Sequence, residues 1–170
     1  MRLDFEESMK REIQKLYQVE TTLMDALKML AKMAENPQLK EALEMHRGET
    51  ETQAQRLQQI AAKMGWSVIG VPSLTIKAMA LETLESLNGA LPGPVTDALI
   101  IASAQKSEHF EIASYGTART LALQMGDQAA ADLLGQSRDE EKRADEKLSQ
   151  IAEAGINQAA TDIPSHATLI

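Results

Sequence analysis

The residues of this chain that could do chemistry are acidic side chains and a histidine, at helix positions where an apolar side chain is expected. Apolar residues recur every three or four positions along four long segments, a spacing typical of the buried face of a helix. Seven residues interrupt these faces or lie one turn from an interruption: Glu20, His46, Glu49, Glu108, Glu111, Glu141 and Asp145. Converging ionised carboxylates are very unfavourable to bury unless cations neutralise them. The pattern therefore predicts a metal site.

The spacing from the chain turns also predicts that these side chains lie at one level. In an antiparallel helix pair, residues at equal height are equally distant from the connecting turn. The midpoint between Glu20 and Glu49 falls beside the break between the first two segments, and the midpoint between Glu111 and Glu141 is Gly126. Both pairs therefore bring their carboxylates level with one another.

Several alternatives stay open within this set. His46 and Glu49 compete for one position on the second helix, and both could bind. Asp145 could be a ligand or a hydrogen-bonding partner of a ligand. Glu140 would replace Glu141 if the fourth helix were rotated, although the register of its apolar face favours Glu141.

The tyrosines and the two remaining histidines are weaker candidates for a role at the metal site. Tyr17 and Tyr115 lie one turn from ligands of the first and third long helices, where they could hydrogen-bond to those ligands or simply pack. His109 lies off the apolar face and is expected to be solvated, and His166 belongs to the C-terminal tail.

The donor types indicate which ions would bind. Glutamate oxygens together with imidazole suit iron or manganese, which accept both kinds of ligand. Bundles that bind two such ions take a Glu from each of two helices and a Glu/His pair from each of the others. We therefore expect two divalent metal ions, iron in the first place and manganese as the alternative.

The elements that must position these residues are four long helices and one short one. Asn36-Pro37, Gly65 and Gly126 separate the long helices, and a short helix from about Ser73 to Leu87 lies between the second and the third. Tight turns make the first and last helix pairs antiparallel, whereas about 28 residues separate the two pairs, enough to cross the length of the bundle. The sequence thus predicts an all-α, ferritin-like four-helix bundle over residues 1–154 and a C-terminal tail over 155–170.

Composition excludes several other classes of protein. The chain of 170 residues has 17 Lys and Arg against 25 Asp and Glu, and it has no Cys. It therefore lacks a disulfide framework and a thiolate nucleophile, and the acidic balance argues against nucleic-acid binding. No apolar run is long enough to span a membrane, and the first residues lack the layout of a signal peptide, so we expect a cytoplasmic protein without membrane partners.

Five segments carry a resemblance to a known family. They are Leu16–Glu20, His46–Thr50 with Gln53 and Arg56-Leu57, Ala98–Gln105, Glu108–Thr117 and Asp139–Lys142, within which the stretch Glu-His-x-Glu-Ile-x-x-Tyr is the most specific. In this order and spacing they resemble the YciE/YciF-type ferritin-like proteins. The resemblance implies a bacterial cytoplasmic homodimer linked to stress responses, and it implies metal ligands at Glu20, Glu49, Glu108, Glu111 and Glu141, with His46 matching the family's histidine on the second helix.

Two hypotheses about function follow. The first is a protein with two carboxylate-bound metal ions that acts on oxygen, peroxide or iron itself, with an oxidase-like or peroxidase-like activity. The second is a non-catalytic helical dimer that serves as a stress-induced interaction or scaffold protein, with an empty or structural site. Iron storage in a hollow shell is disfavoured, because the chain resembles dimeric members of the superfamily.

Overall fold

The computed structural model describes residues 4–162, and all regular secondary structure in that range is helical. The helices are α1 (Phe5–Met33), α2 (Pro37–Met64), α3 (Leu74–Ser86), α4 (Pro94–Gln124) and α5 (Gln128–Ile151), followed by a π-helical turn (Ala152–Ile156) and the short α6 (Asn157–Thr161). The prediction of an all-α fold is confirmed over this range. None of the helices between residues 4 and 162 has the length and apolarity that a bilayer crossing requires.

Local signals in the sequence define the ends of these helices. The side chain of Asn36 accepts hydrogen bonds from the backbone N–H groups of Gln38 and Leu39 at the start of α2. Gly65 ends α2 in the left-handed conformation, with φ of 71°, which glycine adopts without a steric penalty. Ser73 accepts a hydrogen bond from the backbone N–H of Ile76 and begins α3. These boundaries confirm the predicted order of helices.

The four long helices pack around a common interior. Helix α1 packs against α2 and α4, and α5 packs against the same two helices. Helix α3 lies across α1 and α4 and buries one residue of its own, Ile76. The segment before α3 is tied to α1, because Gln14 hydrogen-bonds to Ser67 and Val71 and Gln18 accepts from the backbone N–H of Ser73. These bonds fix α3 against the outside of the α1–α4 pair.

Two apolar clusters make up the core, one toward each end of the long helices. One contains Leu27, Leu30, Leu39, Leu43, Ile76, Ile100 and Ile151, and the other contains Ile13, Leu16, Leu57, Ile60, Ala118 and Leu134. Buried polar residues of all four long helices lie between them along the sequence, among them Glu20, His46, Gln53, Glu108 and Glu141. The interior is therefore apolar at both ends and polar in the middle.

Helical structure continues beyond the predicted end of the last long helix. Helix α5 ends at Ile151, and a π-helical turn containing Gly155, with φ of 157°, leads into α6. The chain stays helical here because Ile156 is buried in the first apolar cluster, which holds the turn against α4. The predicted tail is described only as far as Asp162, so His166 lies outside the described residues.

Candidate metal centre

Each of the four long helices places an acidic or histidine side chain in the polar middle of the core. Helix α1 supplies Glu20, α2 supplies His46, α4 supplies Glu108 and Glu111, and α5 supplies Glu141; none of these residues is more than 5% exposed. Glu108 and Glu111 are three residues apart, so both lie on the inner face of α4. The structure thus brings together five of the residues that the sequence proposed as ligands.

His46 lies at the centre of one group of possible ligands. Its Nε2 atom is 3.1 Å from Glu108 Oε2 and 3.4 Å from Glu141 Oε2. One ligand atom from each of these three buried residues lies within 4.8 Å of the others, an arrangement that could hold a metal ion. The second ring nitrogen, Nδ1, is 3.3 Å from Glu49 Oε2. A carboxylate in that position fixes the orientation of a metal-binding imidazole.

Glu49 itself lies at the edge of this group. Its side chain is 35% exposed, whereas that of His46 is 7% exposed. The sequence left open which of these two residues faces the cluster. The structure places His46 inside the group of possible ligands and Glu49 on the outer side of His46.

A second group forms around Glu20. The fully buried Tyr115 donates its O–H to Glu20 Oε1, and burial raises the pKa of Tyr115 well above its usual value, so it remains a donor. The other oxygen of Glu20 and both oxygens of Glu111 are buried without a hydrogen-bond donor. Buried polar atoms of this kind are rare in folded proteins and need an explanation. Cations would supply the missing partners, so the residues present fit a metal-binding role.

In the absence of cations, three acids of the cluster have raised pKa values and one, Glu108, has a lowered pKa. Burial raises the pKa of Glu20 to about 7. Burial and the neighbouring carboxylates raise the pKa of Glu111 and of Glu141 well above the usual value. Burial disfavours a charged His46, but Glu108, Glu49 and Glu141 together outweigh this effect and raise the pKa of His46. Burial also disfavours a charged Glu108, but His46 and a hydrogen bond with Glu141 together outweigh it and lower the pKa of Glu108.

Two residues of α2 that the sequence did not propose hold the α5 side of the cluster. Gln53 is fully buried and its Nε2 donates to Glu141 Oε1 and, over 3.1 Å, to Glu140 Oε2. Arg56 forms two hydrogen bonds with Glu140, of 2.5 and 2.8 Å, and a third with Ser137. Glu140 therefore pairs with Arg56, and Glu141 is the residue of α5 that faces the cluster. The signal for Gln53 was its position on the apolar face of α2, seven residues after His46.

The structure does not bring the remaining predicted residues into the cluster. Asp145 accepts a 2.9 Å hydrogen bond from Gln105 and lies 3.5 Å from His109, whose side chain is 69% exposed. The hydroxyl of Tyr17 accepts a hydrogen bond from Gln58, away from Glu20. Tyr115 is thus the tyrosine that contacts a proposed ligand.

The fold and the site together define an all-helical protein with a buried histidine–carboxylate group that could hold a metal ion. The chain belongs to the family described as "Domain of unknown function (DUF892)", whose model matches residues 4–161. The resemblance noted from the sequence is confirmed, because the Escherichia coli protein YciF is also similar to this chain in sequence and in structure.

Similarity to individual proteins extends over most of the chain. Protein YciF of Escherichia coli K12 is 37% identical over 145 residues, which cover 85% of this chain and 87% of YciF. The crystal structure of that stress protein superposes with a TM-score of 0.87 and 34% identity, covering 92% of this chain and 99% of the other. YcfI of Rhodopseudomonas palustris, for which a structural role has been suggested, gives a TM-score of 0.83 and 32% identity over 86% and 94% of the two chains.

Proposed function

We propose that this protein is a ferritin-like four-helix bundle that binds two divalent metal ions and acts in a stress response through the chemistry of iron with oxygen or peroxide. Iron is the ion that we favour, and manganese is the alternative. The proposed ligands are Glu20, His46, Glu49, Glu108, Glu111 and Glu141. This assignment combines the stress protein relative with the donor set of the buried cluster.

The observation that carries the proposal is the group of buried carboxylate oxygens that lack donors. One oxygen of Glu20 and both of Glu111 have no partner, next to a histidine whose Nε2 lies within 3.4 Å of two further carboxylates. An arrangement of this kind is costly for a purely structural core, where buried polar atoms are normally satisfied. Two divalent cations would balance four negative charges at this point.

The residues of the chain would then hold ions, orient ligands and move protons. Bound iron would supply the electrons that reduce oxygen or peroxide. Without metal, Glu20 has a pKa of about 7 and can release, near neutral pH, the proton that a bound cation would displace, and Tyr115 donates to it from the apolar interior. Glu49 orients His46, and the two apolar clusters close the ends of the bundle to bulk water.

Metal analysis and peroxide turnover test the proposal directly. Protein prepared without oxygen and mixed with ferrous iron should retain close to two ions per chain, and peroxide should then change its absorbance and be consumed faster than in buffer. Glu108→Ala should abolish iron retention with helicity nearly unchanged, whereas Glu51→Ala, an exposed change on α2, should retain both ions. A Glu108→Ala protein that keeps its iron would refute the assignment of the site.

The alternative function is a non-catalytic dimer that serves as an interaction or scaffold protein. The observation in its favour is a set of exposed large apolar side chains in and around α3: Ile69, Leu74, Leu81, Leu84 and Leu91. Such a surface is typical of protein–protein contacts. We propose that it is where two copies of this chain meet in the cytoplasm, which is compatible with either function.

The two functions differ in what metal does to the protein. Purified protein that contains no metal, and whose melting temperature is not raised by added iron or manganese, would establish the scaffold function and exclude the first proposal. Anomalous diffraction on both sides of the iron and manganese absorption edges would identify the element and its occupancy.

A further inference from the structure

A cavity of about 250 Å³ lies between α1, α3 and α4 and reaches the metal cluster. Its walls are almost entirely apolar, and they include Leu27, Leu30, Ile76, Met79, Ala80 and Ala104. Two cluster residues, His46 and Glu108, also line it. A molecule inside the cavity would therefore lie against α3 on one side and against proposed ligands on the other.

The polar atoms around this cavity offer little to a charged ligand. The hydroxyl of Ser107 is directed at the carbonyl oxygen of Ser103 in its own helix, 3.5 Å away. Asp25, which also lines the cavity, is exposed, so its negative charge lies on the solvent side. An anion would meet the charge of Asp25, and a cation would lose its hydration among apolar side chains.

A second cavity reaches the same two residues and has a different chemistry. It has a volume of about 290 Å³, and it is lined by residues of α2 and α5 as well as by Glu108 of α4. Glu49, Arg143 and Lys147 supply charged groups there. Ions, water and peroxide therefore have a second route to the cluster, past charged side chains, and the apolar cavity is not required for them.

We propose that the apolar cavity binds a compact, uncharged, largely apolar organic molecule of about the size of a substituted benzene ring, and presents it to the metal centre. A cavity of roughly 150 Å³ lined by Leu, Ile and Phe accepts benzene, so 250 Å³ accommodates a ring with a short substituent. The presentation to metal rests on the proposed function, whereas the binding of the molecule depends only on the cavity.

Other occupants fit the cavity less well. A second copy of the chain would cover the outer side of α3, where Leu74 and Leu81 are 73% and 67% exposed. Leu74 and Leu81 lie on the opposite side of α3 from the partly buried Met79 and Ala80, which line the cavity, whereas the exposed Leu84 also lines it. A dimer contact through Leu74 and Leu81 would thus leave the cavity wall at Met79 and Ala80 available to a small molecule.

Toluene is a suitable probe, and isothermal titration calorimetry on the full-length, metal-free protein measures its binding. Ala80→Phe places a ring in the cavity and should weaken toluene binding by about tenfold or more. Ala78→Phe makes the same change on the exposed side of α3 and should leave the affinity within about twofold. Benzoate and benzylamine, which carry a charge on the same ring, should bind at least about tenfold more weakly than toluene.

Several results would overturn the inference. No toluene binding to the unmodified protein, or equal weakening by Ala78→Phe and Ala80→Phe, would show that the cavity is not the binding site. Circular dichroism checks that Ala80→Phe is folded, and Thr83→Phe, on the same cavity wall, replaces it if it is not.

Cobalt separates the failure of this inference from the failure of the proposed function. Adding toluene to the cobalt-loaded protein should change the visible absorption of the bound cobalt, because the ligand would lie beside His46 and Glu108. Toluene binding with an unchanged cobalt spectrum would overturn presentation to the metal centre. Toluene binding to a protein that takes up no metal would refute the proposed function and leave the cavity assignment standing, and metal uptake without toluene binding would do the reverse.

Discussion

Replacing Glu111 with leucine should stabilise the metal-free protein and remove most of the stabilisation that metal confers. Glu111 is 1% exposed, and both of its carboxyl oxygens are buried without a donor. Burial, together with the charges of Glu141 and Glu20, raises the pKa of this carboxyl well above its usual value, so near neutral pH it is a neutral acid whose two oxygens accept no hydrogen bond. Leucine has a similar length and no polar atoms.

The size of the effect follows from the cost of unsatisfied groups. A buried polar group without a partner costs about 1–3 kcal/mol, so Glu111→Leu should stabilise the metal-free fold by about 2 kcal/mol. For a chain of this length, 1 kcal/mol shifts the melting temperature by roughly 2–4 °C, which gives an increase of about 4–8 °C. Metal at a hundred times its dissociation constant stabilises the unmodified protein by about 2.7 kcal/mol for each site that it fills, and the variant should lose most of that gain.

Thermal denaturation with and without metal measures both effects. Each protein is melted after treatment with a chelator and again with manganese, which avoids oxidation during heating. Glu51→Leu is the matched control, because it makes the same change at an exposed position of α2. It should shift the metal-free melting temperature by less than about 2 °C and preserve the response to metal.

The opposite pattern would refute this reasoning. If Glu111→Leu lowered the melting temperature of the metal-free protein, the carboxyl would have partners that stabilise the fold without metal. If the variant kept the full response to manganese, Glu111 would not be a ligand, and the set of proposed ligands would have to be revised.

Three further predictions concern Glu20, the tyrosine that donates to it, and a buried aspartate at the α1–α2 turn. Because burial raises the pKa of Glu20 from 4.5 to about 7, the folded state holds this proton more tightly than the unfolded state. The tighter proton binding of Glu20 stabilises the metal-free fold fully below pH 4.5, and this stabilisation is lost as pH rises to about 7. Melting temperatures of the metal-free protein should therefore fall between pH 5 and 8. The raised pKa of His46 changes the stability in the same direction. Tyr115→Phe removes a donor that lowers the pKa of Glu20, so the pH midpoint of metal binding should move upward, by about one unit or less, in manganese titrations. Asp97→Ala removes the acceptor of two backbone N–H groups at the α1–α2 turn, 2.8 and 2.9 Å away, and should cost about 2–4 kcal/mol in urea denaturation with metal stoichiometry unchanged.

The sequence was sufficient to predict the helices because each boundary has its own local signal. Asn36 before Pro37 and Gly65 in the left-handed conformation act within a few residues of the positions that they define. The continuation into α6 was missed because it depends on Ile156 packing into a distant cluster, which no local pattern reveals.

The candidate site was predictable to the extent that it depends on helical periodicity. Spacing identified Glu20, Glu108 and Glu141 as inward-facing, and all three are buried. Spacing could not decide between His46 and Glu49, because residues three apart share one face of a helix and small rotations decide which of them points inward.

The spacing of residues along the sequence could not predict side-chain contacts between helices, for a different reason. Arg56 pairs with Glu140 across 84 positions of the chain, and no rule of spacing connects them. Asp145 was placed near the cluster by the same periodicity as Glu141, but Gln105 on the neighbouring helix holds it elsewhere. Partners of this kind become visible only when the helices are packed.

The division of the core into two apolar ends has a consequence for how long the protein lasts in a cell. Each end is a contiguous apolar cluster, and the middle contains buried carboxylate oxygens that lack hydrogen-bond partners without cations. Separate clusters of this kind can open as separate units, with lower cost than global unfolding, and transiently opened chains are the form that proteases cleave. Ions bound in the middle would tie four distant chain segments together and suppress such opening. The abundance of the protein would then follow the supply of its metal, with degradation as the means of adjustment.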